Sequence, residues 1–107
     1  MNWKYSESKI SGLDDNGELM AEADFINGND GVIDINHIYV SPKYRGQGMA
    51  DKTMLTMVDF LREKNLQATA SCSYANSWFS KNEEMYTDVI FGDMKNQAVA
   101  CKIDGKH

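Results

Sequence analysis

From residue 3 to residue 40 apolar and polar side chains largely alternate, and from residue 50 to residue 61 the spacing lengthens to that of a helix. The change of period divides the chain into an antiparallel front and a helical middle. Residues 3–10 read as a first strand, ended by Ser11-Gly12-Leu13, and Asp14-Asp15-Asn16-Gly17 is a strong turn signal. Residues 18–26 form the next strand, with Leu19, Ala21, Ala23 and Phe25 set against Glu18, Glu22 and Asp24. After a second turn, 27–31, a third strand runs over 32–40 and carries Ile33, Ile35, His37 and Tyr39 on one face. These three strands make a meander.

Further on, Ala50, Met54, Met57, Val58 and Leu61 fall at helical spacing, opposite Asp51, Lys52, Asp59 and Glu63. Arg62, Lys64 and Asn65 suit the helix C-terminus. A short β segment at 67–73 then completes a right-handed βαβ unit over 32–73. Residues 76–81 and 83–89 read as a short helical pair anchored by Trp78, Phe79, Met85 and Tyr86. The tail, 91–107, keeps no clear period, although 98–101 reads as an edge strand. The pattern as a whole predicts a mixed α/β (α+β) fold in one domain, 1–107.

Composition narrows the function. With 107 residues, 42% hydrophobic and 25% charged, the chain suits one ordered domain with a single core. A net charge of −5 disfavours nucleic acid as a partner. No apolar run is as long as a membrane span and the first residues lack a signal-peptide core, so no membrane association and a cytoplasmic setting are expected. Such a setting argues against a Cys72–Cys101 disulfide. Two histidines, His37 and His107, give no metal-ligand spacing, so no metal is expected.

Candidate chemistry gathers in 40–50, Val-Ser-Pro-Lys-Tyr-Arg-Gly-Gln-Gly-Met-Ala. A strand runs into proline, arginine and two glycines, then into the amphipathic helix. Amides at a helix start lack intrahelical partners, and glycines let a bulky anion approach them. Lys43, Arg45 and Lys52 concentrate positive charge around that loop of an acidic chain. The segment therefore reads as a pyrophosphate cradle. It is not a dinucleotide fingerprint, because a third glycine is missing, nor a P-loop, because no Gly-Lys-Ser/Thr occurs.

Arg45-Gly46-Gln47-Gly48-Met49-Ala50 resembles the [Q/R]-x-x-G-x-[G/A] signature of the GNAT acetyltransferase superfamily. The preceding His37-Ile38-Tyr39-Val40-Ser41-Pro42 and the later Cys72-Ser73-Tyr74 are similar to its minimal branch, over about 19–90. That branch usually has threonine where Ile38 stands, proline where Ala70 stands, and His-Pro-Glu-Tyr in place of 82–85. The resemblance implies acetyl-CoA as co-substrate, in a cleft where the strands ending at Val40 and Ser73 splay apart. Pantetheine would bond to Tyr39 and Val40 backbone, pyrophosphate to the amides of Arg45, Gly46, Gln47, Gly48, Met49 and Ala50, and Asn76 would lie near the cofactor.

His37 by itself reads as a packed strand histidine; its place before the loop makes it a candidate general base. Cys72 by itself reads as an inert buried thiol, but a strand end before a helix start favours the thiolate. Trp78, Phe79, Cys101 and the methionines read as structural. The turn between residues 10 and 18 leaves no room for the helices that wall the acceptor site in larger relatives, so that side should be open. The resulting expectation is an N-acetyltransferase acting on an unidentified amine, of a small molecule or a protein. The alternatives are a non-catalytic CoA-binding module and a thiol redox protein. His37 and Cys72 together favour the enzyme, since a pure binder needs neither.

Overall fold

The computed structural model describes residues 1–28 and 30–92. The front of the chain holds four strands rather than three. β1 (Asn2–Tyr5) and β2 (Lys9–Leu13) form a hairpin, so the expected strand over 3–10 is broken in the middle. Ser6 breaks it: its Oγ accepts from the Lys9 amide at 3.2 Å, a local bond that competes with strand extension. β3 (Leu19–Asn27) and β4 (Val32–Val40) come next, and α1 (Met49–Lys64) crosses over to β5 (Gln67–Ala70). The sheet order is β1-β2-β3-β4-β5, antiparallel except for the parallel β4–β5 pair. α2 (Ser73–Lys81) starts three residues earlier than its periodicity suggests, and only a 3-10 turn at Glu83–Met85 succeeds it. Ile90 then bridges Ala68 and covers the far edge of β5. The expected edge strand at 98–101 lies outside the described residues.

α1 ends where its sequence predicts. Asn65 takes the left-handed conformation (φ 57°), and its amide returns to the Arg62 carbonyl. Its buried stripe, Met54, Met57, Val58 and Leu61, packs on Ala23, Phe25, Ile33 and Ile35 of the sheet. Ala75, Trp78 and Phe79 of α2 join the same cluster, and Trp78 stacks on Tyr86 at 4.9 Å between ring centroids. One sheet face is thus the core. The other carries Lys9, Ser11, Glu22, Asp24, Asp34, Tyr39 and Thr69, half-buried, with His37 exposed.

The facing of β4 departs from simple alternation. Phe25 pairs with Ile35 and Asp24 with His37, so Asn36 is an extra residue, a β-bulge. Beyond it the phase shifts by one. Ile38 and Val40 pair with Ala23 and Ala21 on the core face, while His37 and Tyr39 pair with Asp24 and Glu22 on the outer face. The expectation that His37 and Tyr39 share a face with Ile33 and Ile35 is therefore corrected.

Candidate functional site

The site begins where β4 loses a neighbour. β5 pairs with β4 only from Val32↔Gln67 to Ile35↔Ala70. The chain then turns away, and the amides of Ser71 and Cys72 both donate to the Ile35 carbonyl, at 3.1 and 3.0 Å. β4 continues for five more residues with β3 alone. The Ser41 amide donates to the Met20 carbonyl, so antiparallel alternation turns the N–H groups of Ile38 and Val40 toward the open edge. Between the diverging strands lies a cleft of the kind in which open α/β sheets bind ligands.

The loop beyond β4 is held from below. Pro42–Tyr44 forms a 3-10 turn, and the Tyr44 hydroxyl donates to Asp14 at 2.8 Å. Asp14 also accepts the amides of Glu18 and Asn16, at 2.9 and 2.8 Å. These bonds, the Glu18 amide foremost and then Tyr44, hold the Asp14 carboxyl below its ordinary range. The same bond raises the Tyr44 phenol. Arg45 turns back and its Nε donates to the Val40 carbonyl at 3.1 Å, which fixes the loop against the strand end.

Two glycines shape the junction between this loop and α1. Gly46 and Gly48 have φ of 79° and 73°, a region that only glycine enters cheaply. A Cβ built on either meets nothing within 4 Å, so the space beside them is open. Gly48 is the N-cap of α1 and supplies no side-chain acceptor; the first backbone bond is Lys52 N–H to Gly48 O. The amides of the first turn are left pointing outward under the helix dipole. A cavity of about 210 Å³ lies over them, walled by Val40, Arg45 and Tyr74. Asp51 works against an anion here, but one of its oxygens is taken by Trp78 Nε1 at 2.7 Å.

This arrangement matches a known family. The profile of the GCN5-related N-acetyl-transferases matches residues 10–89. The chain belongs to that family. It is an N-acetyltransferase with the mixed α+β fold of its relatives. Among solved structures, a GCN5-like protein of Staphylococcus aureus, determined by NMR, is 34% identical, with a TM-score of 0.66 over 85% of this chain and 88% of that one. The GNAT family protein YhbS of Escherichia coli, solved with CoA, is 25% identical, with a TM-score of 0.51 over 58% of this chain and 38% of that one. No curated protein sequence matches.

Within this N-acetyltransferase the expected site residues fall into two groups. Tyr39 and Val40 end the open stretch of β4, and beyond the 3-10 turn Arg45, Gly46, Gln47, Gly48, Met49 and Ala50 form the loop and the start of α1. Gln47 donates to the Lys43 carbonyl at 3.3 Å and steadies that loop. Asn76 donates to the Ala70 carbonyl at 3.2 Å and closes the end of β5. His37 and Cys72 are not brought together: His37 is exposed on the outer face, and Cys72 packs against the core at the start of α2. Among the described residues no hydrogen bond joins them.

Sequence reasoning missed Asn36 and Tyr74. The bulge was visible in the switch from Ile33 and Ile35 to Ile38 and Val40. Tyr74 stood in the Cys72-Ser73-Tyr74 motif but was not singled out, because its role comes from α2 lying beside the loop. Its phenol is raised by burial first, then by charge at Asp51 and Cys72. No helix among the described residues is long and apolar enough to cross a membrane, and no described group of His, Cys, Asp and Glu could hold a metal ion.

Proposed function

We propose that the enzyme takes its acetyl group from acetyl-CoA and passes it to an amine arriving at the outer face of the sheet. The uncapped N-terminus of α1 beside Gly46 and Gly48 carries the donor assignment. A pyrophosphate needs several converging N–H donors and space for its oxygens, and this loop offers both. The amides of residues 45–50 would hold it. The open edge at Tyr39 and Val40 would take the pantetheine arm as an added strand. YhbS, solved with CoA, supports the reading. Acetyl-CoA supplies the acetyl group already activated as a thioester. The Val40 N–H would polarise the acetyl carbonyl, as an oxyanion donor does.

The transfer runs through Cys72. This thiol stands where β4 and β5 part and lies near Tyr74, a wall of the loop cavity. Its thiolate attacks the thioester carbonyl, the carbon–sulfur bond to CoA breaks, and the CoA thiolate leaves. The amine then attacks the acetyl group on Cys72 and releases the thiolate. The amine's proton leaves through water, which relays it toward His37 on the outer face, since His37 does not contact Cys72.

Two measurements test this function. A thermal scan should show a rise with CoA and none with NAD or ATP; the reverse would overturn the donor assignment. Intact-mass analysis after acetyl-CoA alone should show one acetyl group on the protein and on Cys101→Ala, and none on Cys72→Ala. No adduct, with full transfer in Cys72→Ala, would leave direct attack assisted by His37.

A further inference from the structure

A second cavity, of about 370 Å³, is lined by Ser73, Tyr74, Ser77, Trp78 and Lys81. Tyr74 is a wall of both this cavity and the one over the glycine loop. The hydrogen bond from Trp78 Nε1 to Asp51, at 2.7 Å, joins a residue lining the second to one lining the first. The two spaces therefore form one groove, running from the N-terminus of α1 along α2. Residues 74, 77 and 81 recur at the spacing of one helical face. Their chemistry is varied: an aromatic ring 40% exposed, a hydroxyl, and an ammonium. Lys81 enters no ion pair among the described residues, although Glu83 and Glu84 stand close by in an acidic chain. An aromatic face with a cation one helical repeat away suits a nucleobase linked to a phosphate. At 370 Å³ the space is within the range of small-ligand sites, which starts at about 300 Å³.

We propose that this groove reads the nucleotide end of the donor, with the adenine on the Tyr74 ring and the 3′-phosphate paired with Lys81. The inference rests on acetyl-CoA being the donor. It adds a specificity that the loop alone cannot supply, since pyrophosphate is common to many cofactors. A donor without the 3′-phosphate loses the charge-assisted bond to Lys81.

The test compares CoA with dephospho-CoA by calorimetry. The wild-type protein should prefer CoA roughly tenfold, the worth of one hydrogen bond to a charged group. Lys81→Gln should bind both alike, at the dephospho-CoA affinity, with an unchanged melting temperature in the absence of ligand. Tyr74→Phe should keep the affinity for both ligands and Tyr74→Ala should weaken both. Lys64→Gln, at the far end of α1, should leave the preference intact. An unchanged preference in Lys81→Gln, or an equal loss in Lys64→Gln, overturns the groove while CoA still binds. Failure of either ligand to bind the wild-type protein instead overturns the donor assignment, and the groove with it.

Discussion

The two halves of β4 are built from similar residues and do different work. Val32, Ile33, Asp34 and Ile35 lie between β3 and β5, bonded on both edges, with Ile33 and Ile35 buried under α1. Ile38, Tyr39 and Val40 have β3 on one side and a cleft on the other. Asn36 separates the halves. Its Oδ1 is buried without a hydrogen-bond partner among the described residues. A strand thus gains an open edge by losing one neighbour, while its inward side chains go on serving the core.

On this division, damage to the first half is a matter of stability. Ile35 is fully buried, so Ile35→Ala should cost about 2–5 kcal/mol with or without ligand, measured by denaturant unfolding. In the loop that continues the second half, the loss should be of binding. Gly48→Val sets a branched side chain at φ 73°, in the space left for the anion. The roughly 2.7 kcal/mol of stabilisation expected at 100 times the dissociation constant of CoA should vanish, and the unliganded fold should persist. Normal CoA binding in Gly48→Val would reduce the loop to a connection.

Deleting Asn36 addresses the boundary itself. Both halves keep their faces, because the bulged residue is the one out of phase. Stability should fall less than in Ile35→Ala, while ligand stabilisation shrinks as the straightened end of β4 is no longer set apart from β5. A deletion that binds CoA as well as the wild type would show that the bulge does not form the cleft.

The smallest effect concerns pH. The folded-state value of Asp14 is lowered, so its contribution is present above the unfolded value and is lost as pH falls through the folded one. CoA binding should therefore weaken on acidification, below the ordinary carboxylate range, as Asp14 lets go of Tyr44. Tyr44→Phe removes that bond at every pH, so binding should already be weaker near neutrality and its loss on acidification should disappear. An acid limb that persists unchanged in a binding titration of Tyr44→Phe would detach the loop from the β2–β3 turn.

Much of this could be read directly from the chain. The extent of β4, the C-terminus of α1 at Asn65 and the glycine loop all obey local rules of turn, cap and period. Ser6 and Asn36 were harder. The first breaks a strand through one hydroxyl, and the second shifts a phase without changing composition. Asn76 carried the expected motif position, yet it closes β5 through Ala70, a contact set by how α2 packs.

The sequence by itself determined the strands and helix from residue 19 to residue 70, the glycine-rich junction at 45–50 and membership of an acetyltransferase superfamily. Each depends on residues close along the chain, whose backbone preferences act locally. Tertiary structure alone decided that His37 and Cys72 stand apart, and that Tyr74 walls both the cavity over Gly48 and the one beside Lys81. Those relations arise where β5 leaves β4 and α2 settles beside α1, between residues whose separation in space no local spacing specifies.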